Sequence, residues 1–229
     1  MDKYAIIVAG GMGTRMGNRM PKQFLLLNER PVLYYTLKVF LEAFEDLQII
    51  LVLPDEYIDL GKEIIDAFFD YSRIQLASGG ETRFHSVQNG LKQVTKESIV
   101  FVHDAVRCLV TTDLIHRCYG NAMETGSAVP ATRCKDSVRL LNEEENDNEV
   151  LDRSKVVHIQ TPQTFHSRIL QPAFEIDFKE RFTDEATVVE AFGLKISLLE
   201  GEENNIKITT PGDMLLAESL LQASLKVSL

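Results

Sequence analysis

The chain has 229 residues, 45% of them hydrophobic, and its 34 acidic side chains outnumber its 24 lysines and arginines to leave a formal charge of −10. That length is enough for one sizeable core in one α/β domain. The acidic balance, with no basic stripe, argues against a nucleic-acid or anionic-membrane binder, and no apolar run approaches the roughly 18 residues that a membrane span needs.

KYAIIVA (3–9) is short, apolar, rich in β-branched residues and ends at glycine. Glycines and cations follow it rather than a small-residue cleavage site, so it reads as a first strand and not as a signal peptide. From Pro31, the apolar residues Val32, Leu33, Leu37, Phe40, Leu41 and Phe44 recur at helical spacing. LQIILVL (47–53) predicts a second buried strand stopped by Pro54, 56–70 a helix, and RIQLA (73–77) a short strand before Gly79-Gly80. SIVFVHDA (98–105) predicts another strand, 112–124 a helix ended near Gly126, and SAVPAT (127–132) a strand. LKISLLE (194–200) and NIKIT (205–209) read as late strands, and Pro211 opens a final helix carrying Met214, Leu215, Leu216, Leu220 and Leu221.

Strands alternating with helices predict βαβ units. The fold class expected is α/β, a single Rossmann-like domain over 1–229 with a mostly parallel twisted sheet flanked by helices. Ligands in such folds sit beyond the carboxyl ends of the strands. The segment 133–165 departs from the pattern: two strand-like runs surround the acidic tip NEEENDNE. It reads as a two-stranded β-arm inserted at about 133–158. An isolated hairpin is marginal in water, so the arm either leans on a second subunit or is a surface excursion. Cys108, Cys118 and Cys134 are odd in number and contain no C-x-x-C. They predict reduced thiols in a cytoplasmic protein rather than a disulfide framework or structural zinc.

The stretch IIVAGGMGTRMGNRMPKQF (6–24) holds Arg15, Arg19 and Lys22 with no acid among them. Glycines let backbone N–H groups approach an anion. A Walker A loop is absent, because no Lys-Ser or Lys-Thr follows the glycines, and the dinucleotide fingerprint fails because Met16 replaces its third small residue. Arg15 can fork onto phosphate oxygens, Lys22 supplies a point charge, and Pro21 fixes the chain before it. Read by itself, the stretch also fits a solvated basic loop.

GGMGTRMG…PKQF resembles the N-terminal signature of sugar-phosphate nucleotidyltransferases, and specifically of the cytidylyltransferases that make CDP-alditols. GGETRFHSVQNGL (79–91), VHDAVR (102–107), RSKVVHIQTPQTF (153–165), TDEAT (183–187) and EGEENNIKIT (200–209) extend the likeness over residues 4–220. In order and spacing these motifs are most similar to the family that uses 2-C-methyl-D-erythritol 4-phosphate in the non-mevalonate isoprenoid pathway. The ribitol-5-phosphate cytidylyltransferases are the nearest rival, and a non-catalytic nucleotide-binding regulator on the same scaffold is a third reading.

The resemblance implies CTP and an alditol phosphate as substrates, a divalent cofactor (Mg²⁺) and a homodimer joined through the arm. It implies that Arg15, Lys22 and Lys207 serve the phosphates and the transition state. Ala9, Gly10, Gly11, Gly13, Gly80, Glu81 and Ser86 would bind CTP, and Asp104 would hold the metal. Arg107, Ser137, Arg153, Thr161 and Thr187 would contact the alditol phosphate, with Ser137 and Arg153 reaching the partner's site. Two departures from the family pattern stand out: Glu81 where aspartate is frequent, and Asn204 where some relatives have aspartate. Strand alternation turns His103 away from Asp104, so it reads as structural.

Overall fold

The middle of the sheet is set by the most apolar strands. The computed structural model describes residues 1–10, 20–142 and 146–227, the last four as backbone only. In it β1 (Asp2–Val8) is followed by a small ribbon, β2 (Leu26–Leu27) with β3 (Arg30–Pro31), then α1 (Val32–Ala43), β4 (Leu47–Leu53), α2 (Ile58–Phe68), β5 (Ile74–Ser78), α3 (Arg83–Leu91) and β6 (Ser98–Asp104). The second half runs α4 (Thr112–Thr125), β7 (Ser127–Arg133), β8 (Val138–Asn142), β9 (Asp147–Leu151), β10 (Val157–Ile159), β11 (Gln163–His166), α5 (Ser167–Ala173), α6 (Glu185–Ala191), β12 (Leu198–Glu200) and α7 (Pro211–Val227). The main sheet has the order β10-β7-β11-β6-β1-β4-β5, with β12 also paired to β7.

β1 lies between β4 and β6, parallel to both, and β4 is parallel to β5. Alternate residues of these strands face opposite layers, as period-2 geometry requires. Ala5, Ile7, Leu51 and Phe101 pack with Leu37, Phe40 and Ile115 on one face. Tyr4, Ile6, Val52 and Val102 pack with Phe84, Val87, Phe165 and Leu170 on the other. Each face is therefore covered by helices; β1, β4 and β6 are almost wholly buried, and the edge strand β5 leaves Gln75 and Ser78 exposed. Among the described residues no helix is long and apolar enough to cross a membrane.

The strands expected at 47–53, 98–105 and 127–132 form within a residue or two of those bounds. Gly126, at φ 90°, ends α4 in the left-handed conformation that favours glycine. Three local readings change. NIKIT (205–209) is not a strand: Ile208 is buried and its N–H donates to Val106 O at 3.0 Å, but no ladder forms. LKISLLE shortens to Leu198–Glu200. The mostly parallel sheet carries one inserted antiparallel strand, β11, between β6 and β7, and β10 runs antiparallel to β7. The arm is a separate antiparallel pair, β8 with β9, leaving Leu140, Leu141 and Val150 exposed.

The register places the carboxyl ends of β1 and β6 side by side, with Val8 opposite Asp104 and Ala105 N donating to Val8 O at 3.0 Å. This edge is where the glycine stretch and VHDAVR meet. Phe101, fully buried against Phe40 and Phe44, supports it from below. Phe101→Ala is expected to cost about 3–5 kcal/mol of stability, read as a lower urea midpoint with an unchanged slope.

Candidate active site

Asp104 is the last residue of β6, and its carboxylate is nearly buried. Its Oδ1 accepts from Arg83 Nε at 3.1 Å, its Oδ2 from Lys207 Nζ at 2.8 Å, and Arg107 Nε stands 3.8 Å from Oδ2. Burial alone would raise this carboxyl. Arg83, Lys207 and Arg107 outweigh burial and hold it well below the ordinary carboxylate range, so it stays ionised. The two terminal nitrogens of Arg83 are bidentate on the fully buried Glu185, at 2.5 and 3.2 Å. Among the described residues, three cations thus pair with two carboxylates here, a surplus of one positive charge within the cluster in a chain of net charge −10. Such a surplus suits a polyanionic ligand.

Behind Asp104 lies a fully buried histidine. His103 Nε2 is 3.1 Å from Arg107 O and Nδ1 is 3.0 Å from Thr161 Oγ1. Burial lowers its pKa to about 3, so the ring is neutral. A carbonyl can only accept, so Nε2 carries the proton and Nδ1 accepts from the threonine hydroxyl. Thr161 Oγ1 in turn accepts from Asp104 N at 3.1 Å. His103 is structural, and the Thr161 side chain fixes the backbone that presents Asp104.

Lys207 reaches Asp104 from a loop held by buried amides rather than by a ladder. Gln160 Nε2 donates to Glu202 O at 2.7 Å, and its Oε1 accepts from Glu202 N at 3.1 Å. Asn205 Nδ2 donates to Thr161 O, and Arg107 Nη1 donates to Asn205 O, both at 2.8 Å. This is why NIKIT imitates a strand in sequence and is not one.

A second corner forms where β1, the end of β5 and α3 meet. Gly80 N donates to Ser86 Oγ at 3.0 Å, and Ser86 Oγ donates to Thr82 O at 3.0 Å. A Cβ on Gly80 would sit 2.4 Å from His85 Cβ and 2.9 Å from its carbonyl carbon, so only glycine fits. A Cβ on Gly10 would lie 3.2 Å from Ser86 Oγ, which puts Gly10, Gly80 and Ser86 together. Glu81 is exposed at the rim. Ala9 is buried at the end of β1, and its carbonyl accepts from Gln23 Nε2 at 2.6 Å. That bond ties the turn Lys22–Phe24, with Lys22 itself 7% exposed, to the same edge. Gly11, Gly13 and Arg15 lie outside the described residues.

Thr187 belongs to a capping box at the start of α6, where its N–H and hydroxyl bond Asp184. Ser137 and Arg153 sit exposed at the base of the arm, and Arg153 Nη1 donates to Lys135 O at 2.7 Å. Among the described residues neither makes a contact with the Asp104 cluster of its own chain. The sequence reading left Glu185, Gln160 and Asn205 unassigned, although all three lie inside motifs it had marked. Nothing local distinguishes a buried carboxylate or amide from an exposed one.

No trio of His, Cys, Asp and Glu gathers among the described residues, so a cage made wholly of protein is absent there. A single carboxylate at the ligand edge fits the habit of Mg²⁺, which takes one or two carboxylates and completes its shell with phosphate oxygens and water.

Comparison with known proteins places the chain in a family and matches its fold. A family model described as 2-C-methyl-D-erythritol 4-phosphate cytidylyltransferase matches residues 4–223. The protein of that name from Bacteroides fragilis is 44% identical over 222 residues, covering 96% of this chain and all of the relative. The crystal structure of 4-diphosphocytidyl-2C-methyl-D-erythritol synthase from Anaerococcus prevotii superposes with a TM-score of 0.82 at 29% identity, over 96% of this chain and 98% of that one. The cytidylyltransferase of Thermus thermophilus gives 0.77 at 30% identity, over 97% of this chain and all of that one.

The depressed Asp104 carboxyl has a consequence for stability. Its folded value lies below its unfolded one, so its ionised form stabilises the fold at neutral pH. That contribution is lost as pH falls from the unfolded value toward the folded one. The stability difference between wild type and Asp104→Asn, from urea unfolding, should be flat above about pH 5 and shrink below about pH 4.

Proposed function

The chain belongs to the 2-C-methyl-D-erythritol 4-phosphate cytidylyltransferase family, and we propose how its own residues carry that family's reaction. The enzyme joins CTP to 2-C-methyl-D-erythritol 4-phosphate, giving CDP-methylerythritol and pyrophosphate for isoprenoid precursor synthesis by the non-mevalonate route. A phosphate oxygen of the alditol attacks the α-phosphorus in line as the bond to pyrophosphate breaks. That nucleophile is already ionised at neutral pH, so no protein base is needed. The protein has to align two polyanions and neutralise the charge that gathers between them.

The observation that carries this reading is the positive surplus around Asp104, set beside the corner made by Gly10, Gly80 and Ser86. In the proposal Gly80, Glu81 and Ser86 take the cytosine, and Ala9, Gly10, Gly11 and Gly13 bring backbone N–H groups to the triphosphate. Arg15 and Lys22 bind phosphate oxygens and stabilise the five-coordinate transition state. Lys207, with 42% of its side chain exposed, swings from Asp104 to the α-phosphate. Arg107, Thr161 and Thr187 form the alditol-phosphate side. Asp104 would hold Mg²⁺ together with the substrate phosphates, and the ion would add charge neutralisation there.

The arm supplies the rest. Leu140, Leu141 and Val150 are apolar, exposed and carried on a two-stranded sheet that is marginal when unsupported. They support a homodimer in which each arm covers the partner and brings Ser137 and Arg153 to the partner's alditol phosphate.

Two experiments test the proposal. Pyrophosphate release with CTP and Mg²⁺ should be fast with 2-C-methyl-D-erythritol 4-phosphate and at least about tenfold slower with ribitol 5-phosphate; the reverse preference would reassign the acceptor. Lys22→Ala and Arg153→Ala should each lose most turnover. Mixing them should restore up to about a quarter of wild-type activity, because one site in a hybrid dimer then has both residues intact. No recovery after verified subunit exchange would place Arg153 in the site of its own chain.

A further inference from the structure

Glu185 has no part in the reaction as proposed above, yet it is the one carboxylate among the described residues with no exposure at all. Burial raises its pKa, and the Arg83 guanidinium pulls the other way. Glu185 is wholly out of water while the Arg83 side chain stays 26% exposed, and desolvating such a carboxylate offsets much of the attraction it gains. A buried ion pair is therefore a poor device for stability alone.

Its geometry is specific. Arg83 Nη1 and Nη2 lie on the two oxygens of Glu185, and only Nε is left for Asp104 Oδ1, at 3.1 Å. A bidentate fork fixes the guanidinium plane. With that plane fixed, Arg83 takes one oxygen of Asp104 and leaves Oδ2 to Lys207, at 2.8 Å. Without the Glu185 charge, the whole guanidinium is free to turn its fork onto Asp104 and compete for both oxygens.

The placement of the pair adds a second role. Arg83 is the first residue of α3, which carries Ser86 and follows the Gly80 turn, and Glu185 is the first residue of α6, which carries Thr187. The pair thus spans the nucleotide side and the alditol side across 102 residues of sequence. The start of α6 has independent supports: Asp184 and Thr187 form the capping box, Gln163 Oε1 accepts from Ala186 N at 2.8 Å, and Gln163 Nε2 donates to Asp184 Oδ2 at 2.9 Å. The ion pair is therefore not the only anchor of the helix.

We infer that Glu185 is a positioning residue for cytidylyl transfer, which orients Arg83 so that Asp104 keeps one oxygen open to Lys207 and the substrates. The inference rests on the reading of the Asp104 cluster as the reaction centre. The test is steady-state kinetics of the full-length enzyme with CTP and 2-C-methyl-D-erythritol 4-phosphate. Wild type is compared with Glu185→Gln, Glu185→Asp, Arg83→Gln and the double variant Arg83→Gln with Glu185→Gln, each checked for its melting temperature. Glu185→Gln should lower kcat at least about tenfold while KM for CTP stays within about threefold. Glu185→Asp keeps the charge and withdraws the carboxylate by one methylene, and should fall between the two. In the Arg83→Gln background, Glu185→Gln should change kcat by less than about twofold, because its effect passes through Arg83. Should Glu185→Gln fail to fold, Glu185→Asp carries the test. Turnover within about twofold of wild type in the folded Glu185 variants overturns the inference and leaves the function standing, as does a loss that multiplies with that of Arg83→Gln. A folded wild type that releases no pyrophosphate overturns both.

Discussion

Asp104 is a nearly buried carboxylate that stays ionised because Arg83, Lys207 and Arg107 surround it. Much of this end of the molecule is arranged around that balance. β6 brings the aspartate to the strand ends, and Thr161 with neutral His103 fixes the backbone that presents it. The buried amides of Gln160 and Asn205 hold the loop that delivers Lys207. Glu185 takes two of the three Arg83 nitrogens that would otherwise crowd the aspartate. Each of these supports is polar and buried, so a single unpartnered group would be costly in that setting.

The division of labour follows from this. Parallel strands buried on both faces give a rigid edge, but most of their side chains are spent on the two apolar layers, and β6 offers polar groups mainly at its end, His103 and Asp104. The chemistry is therefore carried by turns beyond the strand ends, and by a loop stabilised without a ladder. Glycine at position 80 is required by close approach to His85, which lets a backbone N–H face the same corner as Gly10 and Ser86. The cluster around Asp104 keeps a positive surplus among its described residues in an otherwise acidic chain.

The arm obeys a different rule. Its two strands bury almost nothing within the chain and expose leucines and a valine. A hairpin of that kind is at best marginally stable in water by itself. Its sequence is acidic at the tip and places leucines and valines along the strands.

By itself the sequence determined the central strands, the helices from Pro31, after Thr111 and from Pro211, and the two-stranded arm. Each of these is a local pattern: an unbroken apolar run, a helical spacing, a glycine that alone tolerates a left-handed turn. It also marked Lys22, Asp104 and Lys207, because they stand in motifs whose order resembles a known family. It left β10, β11, α5 and α6 undescribed, since these short elements carry weak periodicity and are held by partners far away in the chain. It misread NIKIT because alternation of apolar and polar residues is the same whether or not a strand lies alongside to pair with it. Only the tertiary structure decided that Arg83 and Glu185 meet, that Gln160 and Asn205 are buried, and that one oxygen of Asp104 faces Lys207. The energy of a charged or amide side chain depends on burial and on its partner, and both are set by segments that the fold brings together from as far as 102 residues apart.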